Sequence, residues 1–374
     1  MIQRFICCAV FALAITCTVH ADATSDAIAT IKSVKTEGAT NQEVGAAWKN
    51  LVGQGIDALY PTLNAFEGAD PVALNWLQAA VFAIVEAERT AKRPLDTATM
   101  TKYVTNLKNP SAGRRIAYEI LVELNPTSKI ELLPGMVDDP NNDLRIDAID
   151  FELARLEKSA KVATKEQYMK LFEATRTMDQ ATKIQTKIDK AFQVKPSLTD
   201  HFGVITTWKV VGPFDSTKGA GFEKVYSPEE GVNLLAKYMG KAGEVSWITT
   251  TTDHAEGLVD LNKVLTKHKD AAAYAYAVVE STEEMTVQIR IGSICAVKAF
   301  VNGKEVFANE EYHHGQRFDQ YFGKVQLKKG KNEVLLKICQ NNQTESWAQN
   351  WNFQARLSDF NGAKLPQLTI VDLK

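Results

Sequence analysis

From Met285 to Gln354 apolar and polar residues alternate with the period of two that sends successive side chains to opposite faces of a strand. Val287, Ile289 and Ile291 alternate with Gln288 and Arg290, and Cys295, Val297, Ala299 and Val301 alternate with Ala296, Lys298 and Phe300. Asn302-Gly303 follows, a dipeptide suited to the two positive-φ positions of a type I′ turn, and predicts a hairpin into Val306 and Phe307. A second hairpin is predicted from Val325 and Leu327 through Lys328-Lys329-Gly330-Lys331-Asn332 into the run from Val334 to Ile338. Upstream, Trp208 to Phe214 reads as a strand ended by Gly212-Pro213, Tyr274 to Val279 as another strand, and Leu234 to Met239 as at most a short helix.

Before Lys195-Pro196-Ser197 the period changes to that of a helix. Leu74, Leu77, Val81, Ile84 and Val85 share one face of a run opened by Pro71, with Asp70 placed to cap it. Ala117, Ile120, Leu121 and Leu124 recur in the same way after Asn109-Pro110, and Ile146, Ile149, Leu153 and Leu156 after Asp139-Pro140. The three prolines stand 39 and 30 residues apart. Similar starts at such spacing predict a HEAT-like helical repeat over 24–195, each unit sheltering its neighbour's apolar face; an irregular helical bundle is the competing reading. The fold expected is therefore all-α then all-β, a HEAT-like α-solenoid followed by a jelly-roll β-sandwich over 199–358 and a tail over 359–374.

Five stretches carry a resemblance to a known family: Trp208 through Phe214, Val259-Asp260-Leu261, Ala273-Tyr274-Ala275-Tyr276, Val301-Asn302-Gly303-Lys304, and Leu327 through Lys337. Together they resemble a largely uncharacterised family of exported bacterial proteins. In that family a HEAT-like helical segment precedes a galactose-binding-like jelly roll. The resemblance implies a fold and an exported location more than a chemistry. Related sandwiches accompany secreted glycoside hydrolases as sugar-binding or spacer modules, and no sugar-binding residue transfers position by position.

Charge and composition narrow the function. The 374 residues are 45% apolar and 24% charged with net charge −2, which gives no electrostatic reason to expect nucleic acid. Arg4 precedes the apolar run from Phe5 to Val19, and the small residues around Ala21 predict a signal peptide over 1–21, with cleavage up to 23. The mature protein is thus expected to be periplasmic or extracellular. No later stretch reaches the roughly 20 apolar residues of a membrane span. Once the signal is removed, Cys295 and Cys339 remain, either joined as a disulfide or buried as two free thiols.

Catalytic signatures are missing: there is no Gly-x-Ser-x-Gly, His-Glu-x-x-His, phosphate-binding loop or Cys-x-x-Cys, and no cofactor is expected. Asp200-His201 and Asp253-His254 read as surface or capping residues. The densest polar segment is Glu310 to Gln320. There Glu311, His313, Arg317 and Asp319 offer hydrogen bonds to a ligand and Tyr312 a ring to stack on it; the competing reading is a structural loop with Arg317 paired to Glu310 or Asp319. Trp347 sits in a second polar loop, Gln340 to Trp351, whose amides and indole are the groups carbohydrate recognition uses. Trp351 and Phe353 are expected to face inward. Two functions follow as expectations. One is a non-catalytic exported binding or assembly protein for a glycan or protein partner; the other is a metal-dependent or glycan-acting hydrolase centred on Glu310, Glu311, His313 and Asp319.

Overall fold

A computed structural model of the chain describes residues 23–34, 40–159 and 162–373. The expected signal peptide lies outside them. Two compact units divide the chain, Met1–Lys158 and Ser159–Lys374.

The first unit is helical. It comprises α1 (23–32), α2 (Asn41–Gly53), α3 (Leu59–Asn64), α4 (Pro71–Thr90), α5 (Thr97–Thr105), α6 (Ser111–Leu124), α7 (Ser128–Leu132) and α8 (Asn142–Lys158). The apolar stripe of α4 is buried at Leu77, Val81, Ile84 and Val85, and Asp70 caps the helix by accepting from the Val72 and Ala73 amides. The two other proline starts are not capped that way. Asn109 turns back to the Tyr103 carbonyl, and Asn141, not Asp139, accepts from the Leu144 amide ahead of α8. Asp139 is instead engaged by buried Arg114 through Nη1 at 3.0 Å and Nη2 at 2.5 Å, while Arg114 Nε donates to Val104 O. A buried arginine so fully satisfied is a structural tie, since removing one partner would strand the other charge.

The second unit overturns the expected all-α region followed by an all-β module. Helices α9 (Lys165–Ala174), α10 (Met178–Phe192) and α11 (Leu198–Phe202) belong to it together with every strand, so this unit is mixed α and β, and the chain is not a solenoid followed by a jelly roll. Pro196 is a turn inside the unit: Gln185 donates to its carbonyl at 2.6 Å, and buried Arg356 donates to the Phe202 carbonyl at 3.0 Å. Helix α11 is thus bonded to the sheet that contains β12.

The strands are β1 (Thr207–Asp215), β2 (Lys237–Met239), β3 (Glu244–Ser246), β4 (Ile248–Thr251), β5 (Val259–Asp260), β6 (Ala271–Ser281), β7 (Met285–Ser293), β8 (Ala296–Val301), β9 (Lys304–Asn309), β10 (Tyr321–Leu327), β11 (Gly330–Gln340), β12 (Asn352–Ser358) and β13 (Leu368–Val371). They form a seven-stranded antiparallel sheet in the order β4-β1-β6-β11-β8-β9, with β13 also on β6, a four-stranded sheet in the order β10-β7-β12-β5, and the small pair β2-β3. Val287, Ile289 and Ile291 from one large sheet and Val297, Ala299, Val334, Leu336 and Ile338 from the other bury into a single core with Trp208, Trp351 and Phe353. Each such aliphatic side chain contributes about 1.5–3 kcal/mol by leaving water. The other face of the seven-stranded sheet carries a second cluster, in which Phe214, Tyr274, Tyr276 and Cys339 lie under Phe222, Tyr226, Tyr238 and Trp247.

The β8-β9 hairpin turns at Asn302-Gly303 with φ of 53° and 77°, as the dipeptide predicts. The second predicted hairpin does not form. β10 pairs with β7 and β11 pairs with β6 and β8, so Lys328-Lys329 carries the chain from one sheet to the other. Buried Asn332 holds that crossing, donating to Lys328 O at 2.8 Å and Gly330 O at 2.9 Å and accepting from the Lys328 amide. β1 does not stop at Gly212-Pro213; its register to β6 shifts there and pairing resumes at Phe214. Leu234 to Met239 holds a strand rather than a helix, and the expected tail contributes β13.

Candidate functional site

The loops Glu310 to Gln320 and Gln340 to Trp351 meet at one end of the second unit through His313. His313 has φ of 60°, its amide donates to Ile294 O at 2.6 Å, and its Nε2 lies 3.0 Å from Asn341 Oδ1. An amide oxygen accepts only, so this contact assigns the proton to Nε2. The imidazole meets the Trp347 indole edge to face, with centroids 5.7 Å apart and planes at 81°. Trp347 remains 55% exposed.

Four further bonds hold the tryptophan loop still. Lys269 Nζ donates to Ala348 O at 2.6 Å, Asn262 to Gln349 O at 2.9 Å, Gln340 to Asn350 O at 3.0 Å, and the Asn341 amide group to Gln343 Oε1 at 2.6 Å. Partial burial lowers the Lys269 ammonium below the usual lysine value. Trp351 is fully buried with Nε1 donating to Ile338 O at 3.3 Å. One tryptophan therefore belongs to the core and the other to the surface. The loop that carries Trp347 is held at Ala348 and Gln349 by side chains from other elements and at Gln343 and Asn350 by its own Asn341 and Gln340.

The remaining expected site residues separate. Tyr312 turns onto the second apolar cluster, and burial raises its phenol above the usual tyrosine value. Glu311 faces the other way, accepting from Asn309 Nδ2 at 3.2 Å and Tyr321 OH at 3.4 Å. Asp319, at φ of 54°, accepts from Arg356 Nε at 2.8 Å, Arg356 Nη2 at 2.6 Å and Arg290 Nη1 at 3.0 Å. Its predicted pairing with Arg317 is thus replaced by two other arginines. Arg317 is exposed and makes no ion pair among the described residues. No group of three His, Cys, Asp or Glu side chains among the described residues is placed to hold a metal ion.

Cys295 and Cys339 are both buried free thiols. Cys295 points into the core shared by the two large sheets and Cys339 into the cluster on the opposite face, so the seven-stranded sheet stands between them and a disulfide is excluded by direction. Burial pushes the Cys339 thiol up to about 12 and the Cys295 thiol higher still, which keeps both protonated and unreactive. His201 is half-buried rather than a surface residue. Its ring meets Phe172 at a tilt and Phe202 edge-on, its Nε2 lies 2.9 Å from Thr175 Oγ1, and burial lowers its pKa to about 4.

Sequence reasoning missed Asn341, Lys269 and Asn262 as the supports of Trp347. Only the amide-rich composition around Trp347 hinted at them, because two of the three supports lie about 80 residues upstream.

No protein-family model matches the chain, and no curated protein matches it. Among solved structures, a β-glucosidase from Kluyveromyces marxianus in complex with glucose aligns with 12% identity and a TM-score of 0.25, covering 40% of this chain and 16% of its own. A GH31 α-xylosidase from Xanthomonas citri aligns with 10% identity and a TM-score of 0.21, covering 41% and 17%. A selenomethionine-labelled form of the Kluyveromyces marxianus enzyme covers 75% of this chain and 35% of its own, with 9% identity and a TM-score of 0.25. The chain thus spans about a third or less of the length of these proteins, and likeness at this level identifies no common fold. No helix among the described residues is long and apolar enough to cross a membrane.

Proposed function

We propose that this chain is an exported, non-catalytic binding protein that recognises a glycan at the loop end carrying Trp347. The observation that supports this reading is an indole more than half exposed on a loop that four separate side chains hold in place. A fixed, exposed indole offers an apolar face to the C–H face of a sugar ring at small entropic cost, and surrounding amides supply hydrogen bonds that orient its hydroxyls. His313 supports the ring from the side. The helical unit supplies surface for an exported protein partner.

Three of the four residues expected at a hydrolase centre have other partners, which favours the binding reading. Asp319 is neutralised by two arginines, and Glu311 and His313 have different partners. Affinity electrophoresis through gels containing soluble polysaccharides tests the proposal. Retardation by at least one polysaccharide that is lost in Trp347→Ala, with unchanged thermal stability, supports it; free migration of the parent chain in every gel removes it.

A further inference from the structure

A cavity of about 250 Å³ opens at a seam in the seven-stranded sheet of the second unit. Two strands share one edge of β6: β1 is paired there as far as Tyr276, and β13 takes over at Val278. Between them the chain ahead of β1 pairs with β12, Val204 opposite Arg356, and the cavity reaches core side chains there. Ile205, Val279, Leu357 and Leu368 wall the cavity, and the first three belong to the core between the two large sheets.

The rim carries one charge of each sign, Asp200 on α11 and Lys364 ahead of β13. Neither side chain makes an ion pair among the described residues, with each other or with any third group; the nearby Arg356 is already spent on Asp319 and two carbonyls. Lys364 is nonetheless positioned. Its stem lies against Gly203, where a Cβ would come within 3.1 Å of Lys364 Cγ and where φ is +66°. Glycine at that point leaves room for the lysine stem.

From this placement we infer a second binding site, specific for a free aliphatic amino acid of the leucine class. Its hydrocarbon side chain fills the aliphatic cavity, its α-ammonium faces Asp200 and its α-carboxylate faces Lys364. The volume lies below the roughly 300 Å³ at which drug-sized pockets begin, so the ligand is of metabolite size. A purely apolar molecule would leave both rim charges unused. A peptide end carries one charge and not the other, so a ligand with both charges on one carbon matches the rim.

Calorimetric titration of the full chain with L-leucine, N-acetyl-leucine amide and n-hexanol tests the assignment. L-leucine is expected to bind and the other two are not. Lys364→Gln and Asp200→Asn, both at exposed positions, are each expected to weaken leucine binding about tenfold, the usual cost of losing one charged hydrogen-bond partner. Absence of leucine binding up to about 10 mM overturns the site. Equal binding of n-hexanol, or leucine binding unchanged in both rim variants, overturns its specificity for a zwitterion. Because Trp347 takes no part, the Trp347→Ala chain is expected to bind leucine as the parent does.

Discussion

Asp319 and Arg356 meet in a two-pronged pair, Oδ1 to Nε at 2.8 Å and Oδ2 to Nη2 at 2.6 Å, with the guanidinium carbon 5.2 Å and 5.1 Å from the ring centroids of Phe202 and Phe318, which contact each other. Arg356 is 1% exposed and also donates to Phe202 O and Gly362 O, so this one side chain ties α11, β12 and the loop before β10 together. The pair is the reason the densest polar loop is scaffold where it touches the sheet. Asp319→Ala leaves that buried guanidinium without its carboxylate and is expected to cost about 3–5 kcal/mol, read as a lower midpoint in urea unfolding. A loss below about 1 kcal/mol would mean that the arginine is not held by charge.

A second buried cation holds the cover of the outer cluster. Lys337 is fully buried, donating to Phe222 O at 2.9 Å, Lys224 O at 2.7 Å and Glu229 Oε1 at 2.9 Å, with the Tyr226 and Tyr274 rings beside it. Lys337→Met is expected to destabilise the protein by about 3–5 kcal/mol because Glu229 is left buried and unpaired. Adding Glu229→Gln is expected to recover part of that loss, and a double-mutant cycle measures the coupling.

Acid sensitivity should include a contribution from His201. Its folded-state pKa of about 4 lies below the value of about 6.5 expected when unfolded, mainly through burial and partly through Arg176, Arg356 and Lys364. A depressed histidine favours the folded state at neutral pH. That stabilisation, on the order of 2–3 kcal/mol, is complete above about pH 6.5 and is lost as the pH falls to about 4. Stability curves of parent and His201→Gln should therefore converge between those limits. Parallel curves would show that His201 takes no part.

The two cysteines give a redox prediction. Both thiols face different cores and are held protonated, so a reductant should leave the thermal midpoint unchanged. Maleimide should label Cys295 and Cys339 in denaturant without prior reduction, and label neither in the native protein. Labelling that requires prior reduction would contradict the arrangement.

Legibility in the sequence followed the range of the interactions. The strands β7, β8 and β11, the Asn302-Gly303 turn and the buried stripe of α4 are set by patterns within a dozen residues, and they read correctly. The crossing at Lys328-Lys329 did not, because a turn motif says where the chain bends but not which sheet receives it. Helices α9 and α10 fall in the region expected to be helical, whereas α11 lies past the point where the helical period was expected to stop, and it is tied to the second unit by a bond from Arg356 to Phe202 O, 154 residues apart. Lys337 was visible as a lone charge in the run Val334-Leu335-Leu336-Lys337-Ile338-Cys339, a signal for a buried cation that period-2 reasoning passes over. Of the expected site residues, Trp347 and His313 come into contact, whereas Asp319 belongs to an ion pair that only the fold brings together.

The proposed recognition of a sugar by Trp347 is measured by probing a glycan array with the parent chain, Trp347→Ala and Trp347→Phe. A defined set of bound glycans is expected for the parent, none for the alanine variant and partial retention for phenylalanine, which keeps a stacking face. Identical glycan profiles for the parent and Trp347→Ala would contradict it.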